Sequence, residues 1–138
     1  MSIGKMITRK PISVDPGDSL AAVARLMEQE NVGAIVVTER DKPTGIVTDR
    51  DLALATCVRG LTPNNAIVTV MSHPVSTIRE DEGVLDATKQ MMDQSVRRLP
   101  IIDEDGKLVG LVSADDLVPL LSRELHNIVE GIQAEIAD

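Results

Sequence analysis

The chain has 138 residues, of which 43% are hydrophobic and 26% are charged, and it contains no Phe, Tyr or Trp. This length fits one cooperative unit, or two half-domains too small to bury a core alone, and any core must be aliphatic. The formal charge of −8 arises in 71–138, which holds 6 basic and 14 acidic residues against 8 of each in 1–70. Nucleic-acid binding needs clustered Lys and Arg, so DNA and RNA are excluded as expected partners.

The N-terminal stretch MSIGKMITRK lacks the apolar run of a signal peptide, and no apolar segment approaches the ~18 residues that span a bilayer. The single cysteine, Cys57, cannot form an internal disulfide, and its apolar flanks predict a core position. His73 and His126 are far apart, with no cysteine at a metal-ligand spacing, which argues against zinc. We therefore expect a cytoplasmic protein with no membrane partner and no metal.

In chain order, a short extended piece ends in the turn-prone stretch VDPGDS, where Asp18 is a candidate helix N-cap. An amphipathic helix follows, and two apolar runs split by a charged turn then predict a β-hairpin. A second helix begins at Thr48. The apolar face of the first helix has the i, i+3, i+4, i+7 spacing and consists of Leu20, Val23, Ala24 and Met27.

The same series occurs again later in the chain. The stretch GIVTDRDL (45–52) returns as GLVSADDL (110–117), an offset of 65 that we extend upstream without a gap. This alignment pairs Leu20 with Leu85, Met27 with Met92, and Val36–Val37 with Ile101–Ile102. The second copy has its own hairpin signal, Asp105-Gly106, and a second helix capped by Ser113. Its first helix is predicted to present Leu85, Thr88, Met91 and Met92.

A duplication of this period indicates two copies of one supersecondary unit. We predict an α+β fold of two β-α-β-β-α repeats, packed with pseudo-twofold symmetry so that each covers the apolar sheet of the other. A cleft should open along the seam, where the two helix-capping turns approach each other. Beyond the second copy the chain continues as a helix that Pro119 should kink or restart. Its apolar stripe needs cover from its own domain or a second chain and consists of Leu121, Leu125, Ile128, Val129, Ile132 and Ile136.

The repeated motif places a hydroxyl residue three positions before an aspartate, as Thr48 with Asp51 and Ser113 with Asp116. One interpretation is a capping box with Asp in place of the usual Glu or Gln. The other is a binding site, because a carboxylate at the positive end of a helix can accept two hydrogen bonds from a cis-diol. Phosphate favours the helix N-terminus itself. The sequence leaves both roles open.

The pattern PISVDPGDSLAAVARLME…GIVTDRDL followed by PVSTI…GLVSADDL resembles a pair of cystathionine β-synthase (CBS) domains, the Bateman module, over about 5–122. The resemblance implies a first repeat over about 5–60 and a second over about 70–122, together a CBS pair over 1–122 followed by a helical extension over 123–138. It also implies an adenosyl ligand (AMP, ADP, ATP or S-adenosylmethionine) with no required cofactor. Its ribose would be held by Thr48, Asp51, Ser113 and Asp116, and its base would meet Ile12, Ser13, Val14, Ser76, Thr77 and Ile78.

Arg97 and Arg98 are an unusual basic pair in the acidic half, and the offset of 65 aligns them with Val32 and Gly33. They are either solvated arginines or, as the resemblance implies, contacts for ligand phosphates, with Arg98 the preferred candidate. At the first site Arg50, inside the motif itself, is the candidate for the same contact, and a surface salt bridge is the alternative.

The resemblance implies a regulatory nucleotide sensor that acts through a protein target or through dimer contacts. It also implies a homodimer in which the helices near 51–60 and 115–125 face their mates. The alternative is a structural dimerisation or adaptor domain whose ligand site has decayed. We expect no enzyme, because the sequence has no paired acid and base, no Gly-rich phosphate loop and no nucleophile motif.

Overall fold

The computed structural model describes residues 2–137 and contains the predicted repeat twice. The first half comprises α1 (Ile3–Met6), β1 (Ser13–Val14), α2 (Leu20–Glu30), β2 (Ala34–Glu39), β3 (Lys42–Thr48) and α3 (Asp49–Cys57). The second comprises a 3-10 helix (Ile67–Thr69), β4 (Ile78–Arg79), α4 (Val84–Gln94), β5 (Arg98–Ile102), β6 (Leu108–Ser113) and α5 (Ala114–Ala137). The α+β class and the order strand, helix, strand, strand, helix in each repeat are confirmed.

Each repeat has a three-stranded sheet, in the order β1-β2-β3 or β4-β5-β6. The first strand is parallel to the second, and the second is antiparallel to the third. Helices pack on each sheet over an aliphatic core, as the absence of aromatic residues requires. The first core includes Val23, Ile35, Val37, Val47 and Ala55, and the second includes Ala87, Leu99, Ile101, Val112 and Leu117.

The two repeats align with an offset of 64 before the hairpin and 65 after it, so the ungapped offset of 65 is wrong for the first helix and for β5. Ala34 pairs with Thr48 in the first hairpin, and Arg98 pairs with Ser113 in the second. Arg98 therefore corresponds to Ala34 at an offset of 64, and Ser113 corresponds to Thr48 at an offset of 65. The extra residue lies in the second hairpin. The turn between β2 and β3 has two residues, Arg40 and Asp41, with φ of 52° and 66°, whereas a five-residue loop (103–107) joins β5 to β6.

The shifted register changes which side chains form the second core. Met91, not Met92, is the counterpart of the buried Met27, and Met92 is 72% exposed. Leu85 is 74% exposed, although the ungapped alignment paired it with the buried Leu20. Arg97 and Arg98 likewise correspond to Gly33 and Ala34 rather than to Val32 and Gly33.

Three local predictions fail for identifiable reasons. The N-cap of α2 is Ser19, whose hydroxyl accepts the Ala22 N–H, because the Asp18 carboxylate instead accepts the N–H of Asp15. Ala24 is exposed, since the buried side of α2 is narrower than its apolar face. Cys57 is also exposed. Ala55 is the buried residue of α3, and Cys57 lies two positions after it. Because each residue of a helix turns by about 100°, the Cys57 side chain lies on the opposite side of α3 from Ala55.

The segment that precedes each repeat packs into the core of the other repeat. Ile3 of α1 is fully buried in the second core, where its N–H donates to Glu82 O at 2.6 Å. Ile67 of the 3-10 helix is fully buried in the first core, where its N–H donates to Asp18 O at 2.7 Å. Gly4 allows the first of these contacts, since a Cβ there would lie 2.7 Å from the Cβ of Glu80. The two repeats therefore form one interlocked unit.

The last helix, α5, runs through Pro119 without a restart and crosses the expected boundary at 122. Its C-terminal part is exposed at every described position, so the described chain does not cover its apolar stripe. Asp138, the last residue of the expected extension, lies outside the described residues. Across 2–137, no helix combines the length and apolarity needed to cross a bilayer.

The neighbouring residues Met91 and Met92 test the corrected register. Met91→Ala should lower the free energy of unfolding by about 2–5 kcal/mol, because a buried methionine leaves a cavity. Met92→Ala should change it by less than about 0.5 kcal/mol, because that side chain is exposed. Urea unfolding of both variants measures the difference. A larger loss for Met92→Ala would restore the ungapped alignment.

Candidate functional site

The first predicted binding residues gather at one edge of the first sheet. β1 and β2 run parallel and β3 antiparallel, so the starts of β1 and β2 meet the end of β3 at this edge. Thr48 ends β3 opposite Ala34 and is also the N-cap of α3, which places Asp51 in the first turn of that helix. Ile12 and Ser13, at the start of β1, lie on the same edge. We call this edge site one.

The second repeat builds the equivalent edge, site two, from the end of β6 and the first turn of α5. Ser113 pairs with Arg98, the first residue of β5, and Asp116 follows in the first turn of α5. Ser76 and Thr77 precede β4, whose Ile78 pairs with Ile101. The structure thus brings the predicted residues of each repeat together within that repeat.

Both motifs form complete capping boxes. The Thr48 N–H donates to Asp51 Oδ2 at 2.9 Å, and the Asp51 N–H donates to Thr48 Oγ1 at 3.2 Å. Ser113 and Asp116 repeat the two bonds at the same distances. Among residues 2–137, no donor hydrogen-bonds Oδ1 of either aspartate, so each cap uses only one carboxylate oxygen. Capping and ligand binding are therefore compatible.

Arg9 contacts site two, a contact that no pattern in the sequence indicates. Its guanidinium donates to Asp116 Oδ2 at 2.8 Å. The contact arises because 7–12 runs from α1, docked on the second repeat, to β1 in the first, and so passes site two. The residue 64 positions later is His73, which is exposed and makes no hydrogen bond to Asp51 in the described chain. Only knowledge of the exchanged segments would have predicted the Arg9 contact.

The two arginines at site two have different surroundings. Arg97 Nη2 lies 3.5 Å from Asp115 Oδ1, and both side chains are largely exposed, so this ion pair contributes little to the stability of the fold. Arg98 is half-buried and forms no ion pair within residues 2–137. Directly opposed residues of an antiparallel pair share one face of the sheet, which places Arg98 on the face of Ser113. Site one has Ala34 at this position, so the two sites differ by a cation.

Arg50, the basic candidate at site one, is exposed. Its backbone N–H donates to Asp49 Oδ1 at 2.8 Å, and its guanidinium has no ion-pair partner among residues 2–137.

The residues expected near a base differ in burial: Ser13 is exposed, Ile12, Ser76 and Thr77 are half-buried, and Val14 and Ile78 are buried. The side chains of Val14 and Ile78 are buried in the two cores, so only their main chains can reach a ligand. In the second repeat Gln90 Nε2 donates to Thr77 O at 2.6 Å, and Ser76 Oγ lies 3.4 Å from Gln94 Oε1. These bonds hold the chain that enters β4 against α4.

Two surface depressions lie apart from the capping turns. One, of about 330 Å³, lies at the seam of the repeats between Ser13, Thr38 and Val109. The other, of about 320 Å³, has a strongly acidic lining that includes Glu80, Asp81 and Asp103. Ser13 alone connects a predicted site to either depression. The capping turns themselves are open edges of the sheets.

Comparison with known proteins gives consistent matches over nearly the whole chain. The CBS domain family model matches 3–56 and 67–123. An uncharacterized protein of Methanopyrus kandleri is 36% identical over 141 residues, covering 99% of this chain and 72% of the relative. The CBS domain-containing protein YhcV of Bacillus subtilis is 36% identical over 116 residues, and the match covers 84% of this chain and 82% of YhcV.

Solved structures share the fold at lower identity. The CBS domain pair of protein MJ0100, in complex with 5′-methylthioadenosine and S-adenosyl-L-methionine, has a TM-score of 0.79 at 22% identity, covering 90% of this chain and 98% of that one. A CBS domain protein from Pyrobaculum aerophilum, complexed with AMP, has a TM-score of 0.76 at 24% identity. The match covers 84% of this chain and 89% of that protein. With both repeats matched by the family model and both capping motifs in place, the chain belongs to the CBS domain family as a tandem CBS pair.

Proposed function

We propose that this CBS pair is a regulatory module that binds adenosyl ligands and transmits their occupancy to a partner. The observation that carries the proposal is the pair of carboxylates, Asp51 and Asp116, each at a helix N-terminus with one oxygen left unbonded by the described chain. A ribose offers two adjacent hydroxyl donors to such an oxygen. The cap fixes the carboxylate in place, so binding costs little side-chain entropy.

The base of the ligand would contact the main chain at the same edges. The main chain of Ile12, Ser13 and Val14 at site one, and of Ser76, Thr77 and Ile78 at site two, offers hydrogen-bonding groups to a base. No aromatic side chain is available for stacking, so aliphatic side chains and peptide groups must contact its faces. Two similar CBS pairs are described in complex with AMP or with S-adenosyl-L-methionine, which supports an adenosyl ligand here.

We propose that the two sites prefer different ligands. Arg98, assisted by Arg97, gives site two a cation where site one has Ala34, so a phosphorylated adenosine should favour site two. At site one, Arg50 is the candidate for a phosphate contact. The Arg9 guanidinium at Asp116 is a further cation that a ligand at site two must displace or share.

Regulation requires a ligand that binds one conformation better than another. Because each repeat is completed by a segment from the other, a change at one site can alter how the repeats pack together. We propose that the module works in the cytoplasm, catalyses no reaction, binds neither nucleic acid nor membrane, and acts as a homodimer or through a separate protein target. The exposed Val58, which follows α3, and the exposed Val118 of α5 lie in the two segments expected to face a mate and are consistent with a homodimer.

The second candidate is a structural dimerisation or adaptor domain with no ligand. It is favoured by the completeness of the capping boxes, which give Thr48, Asp51, Ser113 and Asp116 a folding role of their own. The ion pair between Arg9 and Asp116 has the same implication, because it gives the carboxylate a cationic partner without a ligand.

Asp116→Ala separates the two candidates. In an Asp51→Ala background, which leaves site two to be measured alone, the added change should weaken AMP binding about 30- to 1000-fold, since two hydrogen bonds to a charged group are lost. Isothermal titration calorimetry measures the affinity, and the exposed neighbour Asp115→Ala serves as the control. AMP affinity within about threefold, with stability lower by about 1 kcal/mol, would identify Asp116 as a cap only.

Arg98→Ala tests the proposed phosphate contact. AMP affinity at site two should fall about tenfold or more, because one charge-assisted contact is lost, while adenosine affinity should stay within about threefold. Arg25→Ala, an exposed arginine on α2, should change neither affinity. Equal losses for AMP and adenosine would show that Arg98 supports the fold of the site rather than the phosphate.

Arg9→Ala tests competition for the Asp116 carboxylate. Adenosine has no phosphate to interact with Arg9, so its affinity for site two should rise, by at most about fivefold for an exposed ion pair. The measurement again uses the Asp51→Ala background. A fall in adenosine affinity would mean that Arg9 assists binding instead of opposing it.

A further inference from the structure

The C-terminal helix presents a continuous apolar face that the described chain leaves uncovered. Val118, Leu125 and Ile128 are 60–62% exposed, and Ile132 is 52% exposed. The same helix buries only Leu117 against the domain, near its start. The remaining exposed apolar residues of α5 are Leu121, Val129 and Ile136.

The spacing of these residues is that of a coiled coil. Val118, Leu121, Leu125, Ile128 and Ile132 are separated by three and four residues in alternation. This is the a and d pattern of a heptad, with a period of 3.5 residues that suits a left-handed helix pair. Val129 and Ile136 widen the seam on one side, at e positions. A helix with the same spacing is the partner that this face fits best.

A second copy of α5 satisfies the pattern in one orientation. When two such helices run antiparallel, Leu125 of one copy lies in a layer with Ile128 of the other, and Leu121 lies with Ile132. At each end of the pair Val118 lies beside Glu135 of the other copy, so no two like charges meet. Each of these layers occurs twice about the twofold axis. A parallel pair would instead place Glu135, at a d position, against its own symmetry mate, and two like charges in contact are unfavourable. The antiparallel pair also opposes the two helix dipoles.

The area is also sufficient. With these exposures, the seven apolar residues present roughly 100 Å² each, so two copies can bury up to about 1,400 Å², within the 1,200–2,000 Å² of stable protein interfaces. We propose that α5 packs antiparallel against α5 of a second copy, with the apolar layers of its seam between Leu121 and Ile132. This assembly goes beyond ligand binding and does not depend on it.

Sedimentation equilibrium of the full chain tests the proposal. The unmodified protein should be a dimer at micromolar concentration, and Ile128→Glu should raise the dimer dissociation constant at least 100-fold by placing a charge at the centre of the seam. Asn127→Glu, one position away on the polar side, should leave it within about threefold. Leu125→Glu provides a second seam variant, and circular dichroism checks that each one folds.

Disulfide trapping in a Cys57→Ser background tests the orientation. The double variant Leu121→Cys/Ile132→Cys should oxidise to a covalent dimer, whereas neither single variant should. Covalent dimers of a single variant would overturn the antiparallel arrangement. A monomeric unmodified chain at 100 µM, or a dimer that persists in both glutamate variants, would overturn the assignment of α5 as the interface. Neither result bears on nucleotide affinity, which calorimetry measures separately.

Discussion

The hydrogen bond by which an aspartate closes the first turn of a helix underlies both the fold of each repeat and the proposed ligand binding. Asp51 and Asp116 each accept the backbone N–H three residues earlier, and this bond fixes the junction between the last strand of a repeat and the following helix. Because the cap uses one oxygen, the described chain leaves the other without a hydrogen bond. A structural requirement of the fold thus holds one carboxylate in place in each repeat, and a ligand bound there as we propose would need no rearrangement of the aspartate itself.

The exchange of N-terminal segments explains why two small repeats act as one unit. Neither sheet with its helices buries its core completely, and Ile3 and Ile67 each complete the core of the other repeat. The exchange also makes the two sites unequal. The chain that leaves α1 carries Arg9 past Asp116, whereas the matching chain carries the exposed His73. Arg98 adds a second difference, since Ala34 takes its place at site one. Sites related by pseudosymmetry therefore differ in charge, which is the basis of the proposed difference in ligand preference.

The sequence predicted the repeat, the order of elements and both capping motifs, because each depends on local periodicity and on residues close together in the chain. The ungapped register failed at the second hairpin, where one added residue leaves the motif aligned but shifts the preceding strand and helix, so that Leu85 and Met92 face solvent. The burial of Cys57 was also predicted incorrectly, since the apolar residues around it lie on different sides of a short helix. The Arg9 contact depends on which repeat α1 docks against, and no local pattern encodes that choice.

One helix connects the candidate binding site with the exposed surface, since α5 begins in the capping turn of Asp116 and continues through the apolar seam. Whether any ligand reaches this turn is the central question. A crystal structure of the protein grown with millimolar AMP answers it most directly. We expect a ribose whose hydroxyls lie within about 3 Å of the second carboxylate oxygen of Asp116, with the phosphate toward Arg98. Ordered solvent alone at both Asp51 and Asp116 would contradict it.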